Sequence, residues 1–184
     1  MVQDNYKSWL IKPEDFPKES ALPAQLKFLL QFAILAPSTH NSQPWQFKVD
    51  DNKIYILPNF DKALPVGDKE NRFLFLSLGC ALENLLVAAQ YYGFSFQVKY
   101  PSAADKKIEI TFAKTGELNN SKDSLVSYIP KRITNRHKFT DQLPAEEFLS
   151  SIRSLGAEDI NVDIATPGDK NNKIKSLVNK ITPK

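Results

Sequence analysis

The twelve residues Ala36-Pro37-Ser38-Thr39-His40-Asn41-Ser42-Gln43-Pro44-Trp45-Gln46-Phe47 constrain this chain more than any other stretch. Pro37 disfavours helical geometry in the residue before it, and so ends the apolar helical run on its N-terminal side. Phe47 opens an alternating, strand-like segment on the other side. Between them Ser38, Thr39, Asn41 and Gln43 carry donors and acceptors that neither a helix nor a sheet ladder consumes. A polar corner between a helix and a strand serves either as ordinary turn chemistry or as a grip on a polar ligand.

The flanking pattern predicts an α+β fold with a long central helix. Residues 1–22 form an irregular extension, interrupted by Pro13, Pro17 and Pro23, that wraps a partner or a lobe surface. A helix runs from about Pro23 to Ala36, with Pro23 suited to its first turn. Phe47 and Val49 alternate with polar neighbours, as do Ile54 and Ile56, and Asp50-Asp51-Asn52 supplies the turn of a β-hairpin. The loop from Pro58 to Gly67 leads to Asp68 as a helix cap, and a core helix follows to near Gly93. Strands are expected at Phe94 to Tyr100 and Lys107 to Ala113. The polar run Lys114 to Lys122 marks a boundary, giving a first half at 23–121 and a second, degenerate half starting at 122–184. That second part reads as a short helix near Ser124 to Ile129, an arginine-bearing loop, a helix from Pro144 to Leu155, a strand at Val162 to Ala165 and a last helix after Gly168. The last helix places Ile174, Leu177, Val178 and Ile181 on one apolar face that needs a partner.

Composition narrows the function classes. Lys and Arg number 24 against 21 Asp and Glu, a net charge of +3. With aromatic residues kept out of the basic stretch Lys131 to Lys138, that excess argues against nucleic-acid binding, and an anion-binding module ranks lowest among the readings. His40 and His137 lie far apart and Cys80 is the single cysteine, so no metal-ligand spacing and no intrachain disulfide are expected. Cys80 sits in the apolar helix and reads as an inert thiol. The start of the chain lacks a basic segment followed by an apolar one, and the run Phe73 to Ala89 is broken by Glu83 and Asn84. A cytoplasmic protein without membrane association is the expectation.

The corner resembles the signature of the flavin-dependent nitroreductase family, Pro-Ser-Ser-x-Asn-x-Gln-Pro-Trp-x-Phe, with Thr39 in place of the second serine. The likeness continues through Asp61, Asp68, Arg72, the helix Leu76 to Leu86, Ala88-Ala89 and Gly93. It covers roughly residues 24 to 113. Family members open with an Arg-x-Ser-x-Arg segment that holds the FMN phosphate, yet no arginine precedes Leu26 here. A close match stands at Arg132-Ile133-Thr134-Asn135-Arg136-His137-Lys138-Phe139, as in the divergent fused-repeat, Acg-like branch. A helix-like Pro144 to Ile152 follows it, but no second Pro-Ser corner does. The distribution predicts a site split between two halves, the site being completed in a homodimer or by a missing C-terminal lobe.

The resemblance implies an FMN-dependent oxidoreductase that passes hydride from NAD(P)H through FMN to a nitroaromatic, quinone or similar small-molecule acceptor. It places Asn41 at a ring edge, Pro37, Ser38 and Thr39 along the dimethylbenzene or ribityl side, and Arg132, Thr134 and Arg136 on the phosphate. No residue is assigned a catalytic role, because the cofactor carries the hard chemistry. His40 is a candidate for the substrate face, as a proton donor or polar gate. Trp45 is expected to anchor the corner in the core and Gln43 to satisfy nearby backbone groups. The alternative is a flavin-binding protein without turnover that sequesters or senses FMN.

Overall fold

A computed structural model of the chain describes residues 4–102, 105–116, 124–138, 140, 142–156, 161–165, 173, 174 and 176. It divides into two compact units, Met1–Asn135 and Arg136–Lys184.

In the first unit α1 spans Leu22–Ala33, with a proline in its opening turn. Leu26, Leu29, Phe32 and Ala33 recur at helical spacing and are buried. The helix stops three residues before Ala36. The N–H groups of Leu35 and Ala36 reach back three residues, to the carbonyls of Phe32 and Ala33 at 3.1 Å, and this tighter turn swings the chain out of the helix axis ahead of Pro37.

The long helix α2 spans Arg72–Tyr91 and buries Leu74, Leu78, Ala81, Leu82, Leu85, Ala88 and Ala89. Among the described helices it is the one long and apolar enough to cross a bilayer by length and composition. Here its buried stripe packs on α1 and on the sheet. Asn84, which interrupts the apolar run, donates from Nδ2 to the Phe32 carbonyl at 3.1 Å and so satisfies an end carbonyl of α1. At the C-terminal end Gly93 takes φ 75, the left-handed turn that sends the chain straight into a strand.

The start of α2 differs from the sequence expectation. The N-cap is Asn71, at φ 57 and without a side-chain cap bond, whereas Asp68 stands one turn earlier. Asp68 still does the capping chemistry, because its Oδ2 accepts the Leu74 N–H at 2.9 Å from a buried position. The negative carboxylate also faces the positive end of the helix. Asp68→Ala is expected to cost about 1–2 kcal/mol, the loss of a charge-assisted cap. Asp68→Asn, which keeps the acceptor, should recover part of it. Chemical denaturation of the two variants checks the order, and equal stability of Asp68→Ala and the parent sinks the assignment.

The sheet is antiparallel throughout the described residues. Its strands are β1 (Trp45–Asp50), β2 (Lys53–Pro58), β3 (Phe94–Lys99) and β4 (Ile108–Lys114), in the order β1-β2-β4-β3. Asp50 pairs with Lys53, leaving Asp51-Asn52 as a two-residue hairpin turn with Asp51 at φ 51. Ile54, Ile56, Ile108, Ile110, Phe112 and Phe94 form the buried face against the helices. On the other face Lys53 Nζ donates to Glu109 Oε1 at 2.6 Å across the β2–β4 ladder. That bond holds Glu109 below the usual carboxylate range and Lys53 above its ordinary value.

The N-terminal segment is anchored rather than loose. After 3-10 turns at Asp4–Leu10 and Pro13–Asp15, Phe16 is buried and stacks on Tyr92 at 4.2 Å between ring centroids. Gln25 Nε2 donates to the carbonyls of Pro17, Lys18 and Ser20 at 3.2, 2.6 and 2.9 Å and ties the following turn to α1. At the far end of the unit a 3-10 turn, Leu125–Lys131, buries Val126 and Ile129 in the same core.

The second unit contains α3, Glu146–Arg153, with Glu146 and Glu147 in its first turn and Arg153 in its last, the charge order the helix dipole favours. Leu149 is buried within it. The strand expected at Val162 to Ala165 is not formed. Residues 161–165 pair with no other strand among the described residues, and alternation alone cannot hold an extended segment without a ladder partner. The boundary at Lys122 and most of the helix after Gly168 lie outside the described residues.

Candidate functional site

The corner between α1 and β1 is built by its own short hydrogen bonds. The Asn41 and Ser42 N–H groups donate to the carbonyls of Ser38 and Thr39, both at 3.0 Å. Ser38 Oγ accepts the Gln43 N–H at 3.0 Å. His40, Asn41 and Gln43 take φ of 53, 55 and 48. Three Cβ-bearing residues in the left-handed region, within one short loop, store backbone strain that the surrounding packing must hold. Buried Pro44 and Trp45 supply that hold, and the Asn59 N–H donates to the Pro44 carbonyl at 2.9 Å. Trp45 thus anchors the loop as expected. Gln43 differs: its contribution to the corner is the backbone N–H given to Ser38, and the residue also lines a cleft.

That cleft, of about 480 Å³, is lined by Ser8, Trp9, Ile34, Leu35, Ala36, Asn41, Gln43 and Arg132, all within the first unit. Its size falls in the range of small-molecule sites. Arg132 is carried there because the buried Val126 and Ile129 fix the turn that precedes it, and the Arg132 N–H donates to the Tyr128 carbonyl at 3.0 Å. The guanidinium bridges two places. Nη2 donates to the Leu35 carbonyl at 3.2 Å and Nη1 to Thr134 Oγ1 at 3.4 Å. Its Nε is buried with no hydrogen-bond partner. This guanidinium is held by one carbonyl and one hydroxyl, and no carboxylate is paired to it among the described ion pairs, so it is open to an anionic ligand.

The structure therefore brings Arg132 and Asn41 to one cleft and ties Thr134 to Arg132. Pro37, Ser38, Thr39 and His40 are not among the lining residues. Pro37 and His40 are exposed, the Ser38 hydroxyl accepts from within the corner, and Thr39 borders a separate void of about 10 Å³ with Ser42, Pro44 and Asp68. Arg136 belongs to the second unit, where it is exposed in the loop ahead of α3. Sequence reasoning missed Ser8, Trp9 and the Leu35 carbonyl. A tryptophan in an otherwise polar, proline-broken segment was the available signal for the first two. No group of three or more His, Cys, Asp or Glu side chains converges among the described residues.

Comparison with known proteins adds a second line. Residues 12–89 match the family model described as "Putative TM nitroreductase". The Mycobacterium tuberculosis protein named "Putative NAD(P)H nitroreductase Rv3131" is 30% identical over 117 residues, 62% of this chain and 34% of that protein. These matches support a divergent member of the nitroreductase family. A second protein of that organism, "Putative NAD(P)H nitroreductase acg", is 26% identical over 143 residues, 76% of this chain and 43% of its own length. "Uncharacterized protein Rv3127" is 23% identical over 142 residues, 73% of this chain and 41% of its own. The chain thus spans between a third and under half of the length of these curated relatives. The matched family segment contains the N-terminal 3-10 turn at Pro13, α1, the corner, the hairpin and most of α2, which together form the frame around Asn41.

Proposed function

We propose that this chain contributes an FMN-binding half-site to a nitroreductase-type, NAD(P)H-dependent oxidoreductase whose acceptor is a nitroaromatic, a quinone or a similar small molecule. The observation that carries the reading is that Arg132, remote in sequence from the corner, lines one cleft with Asn41. The donor set fits the cofactor. A guanidinium with a buried, unpartnered Nε suits a phosphate, two carboxamides suit the polar edge of a heterocycle, and Ile34, Ala36 and Trp9 give apolar surface.

The chemistry such a cofactor supplies is hydride relay between a reduced nicotinamide and an acceptor. The tasks left to this chain are binding and orientation. Arg132, with Thr134 bonded to it, holds the phosphate end, and Asn41 fixes a ring edge through its carboxamide. Ser38 keeps that carboxamide in place by closing the loop on the Gln43 N–H. Pro37, Thr39 and exposed His40 stand on the corner outside the lining of this cleft, where the second half would have to bring the ribityl chain or the acceptor to them. A second half, in a partner copy or a C-terminal lobe, completes the pocket.

Purified chain mixed with FMN and freed of unbound ligand should keep the visible flavin spectrum. NADH or NADPH added to that sample under air-free conditions should bleach it. Loss of all flavin on removal of free ligand overturns the reading. Retention without bleaching instead favours flavin sequestration without turnover.

A further inference from the structure

Trp9 borders the cleft, and it is the single aromatic ring among the lining residues. About a third of it remains in solvent, 36% against 8% for Trp45, the other tryptophan of the chain. No aromatic ring pair and no lysine or arginine stacking involves it among the described residues. A partly exposed indole that lines a polar cleft without an aromatic or cationic partner is available to a ligand, since large aromatic rings normally bury in a core or cap a partner.

Its position is fixed from two sides. The 3-10 turn Asp4–Leu10 that bears Trp9 packs on the turn Leu125–Lys131, the one that delivers Arg132. Phe16 and the Gln25 bonds then hold the chain just after it on α1. Trp9, Arg132, Asn41 and Gln43 thereby line one cleft. This is the set a phosphorylated planar heteroaromatic requires: a flat surface to stack on, a cation for the phosphate and amides for the ring edge.

We infer that Trp9 is a ligand-stacking residue, and that the N-terminal segment is a working part of the binding site. The inference rests on the FMN reading and deepens it. A stacked aromatic surface contributes enough that removing it weakens binding by roughly tenfold. Trp9→Leu keeps apolar bulk but not the flat π surface, so it should lose about that much FMN affinity, whereas Trp9→Phe should stay within about threefold of the parent.

Contact is read separately from affinity. An indole touching an excited flavin donates an electron to it and quenches its emission, whereas phenylalanine does not. The emission of bound FMN, measured above saturation in the full chain, should therefore be low in the parent and rise in Trp9→Phe, even though that variant binds well. If the parent holds FMN but Trp9→Phe leaves its emission quenched, the ring is not in contact, and the inference falls while the FMN reading stands. Unchanged affinity in Trp9→Leu does the same. A parent that retains no FMN overturns both. The Trp9→Phe emission decides the matter even where Trp9→Leu unfolds.

Discussion

Leu78→Ala lowers the stability of the first unit by about 3–4 kcal/mol. Leu78 is fully buried near the middle of α2, in the cluster where α1, α2 and the sheet meet. Alanine is the best helix former, so the substitution leaves the helix itself unharmed and isolates the core contribution. What is lost is the transfer free energy of the deleted carbons and the contacts around the hole they leave, which a close-packed interior only partly closes. Against a usual total of about 5–15 kcal/mol, that is a large share. Leu76→Ala, two residues away and 63% exposed, should change stability by less than about 0.5 kcal/mol. Urea melts of the pair give the test: similar midpoints would mean that α2 does not bury the stripe described for it.

The second large effect concerns binding. Arg132→Ala should weaken FMN by roughly 30- to 100-fold, the value of a bidentate, charge-assisted contact to phosphate. Arg132→Lys keeps the charge but not the fork, and should recover only part of the loss. The guanidinium also donates to the Leu35 carbonyl, so some stability is lost with it, about 1 kcal/mol for one hydrogen bond. Riboflavin separates the two roles, because it lacks the phosphate. If Arg132 holds phosphate, the variant discriminates strongly against FMN and hardly against riboflavin. Equal loss for both ligands would make Arg132 only a tie between the end of α1 and the Leu125–Lys131 turn, and the half-site reading would lose its main support.

Much of the frame was legible because its signals are local. Asp51-Asn52 between two alternating segments specifies a tight hairpin, and the structure pairs Asp50 with Lys53 across it. The apolar run of α2 carries its own helical spacing, and Gly93 marks its end. Where the reading slipped, a non-local or sub-residue effect decided. α1 stops early because Leu35 and Ala36 tighten into i to i−3 bonds, and Asp68 caps α2 from outside the helix because the chain inserts Asn71 in the left-handed region. Residues 161–165 show the converse. Their pattern is strand-like, but a strand needs an edge to pair with, and pattern alone does not supply one.

The candidate site divides along the same line. Proline, glutamine and tryptophan at fixed offsets in residues 36–47 determined by themselves that a polar corner would sit between a helix and a strand, since each of those constraints acts within a few residues. That Asn41, Arg132 and Trp9 line one cleft was decided only by tertiary structure. Arg132 and Leu35 are 97 positions apart. They meet because Val126 and Ile129 bury against the helical core, and a contact made through burial at that separation leaves no periodic trace in the sequence.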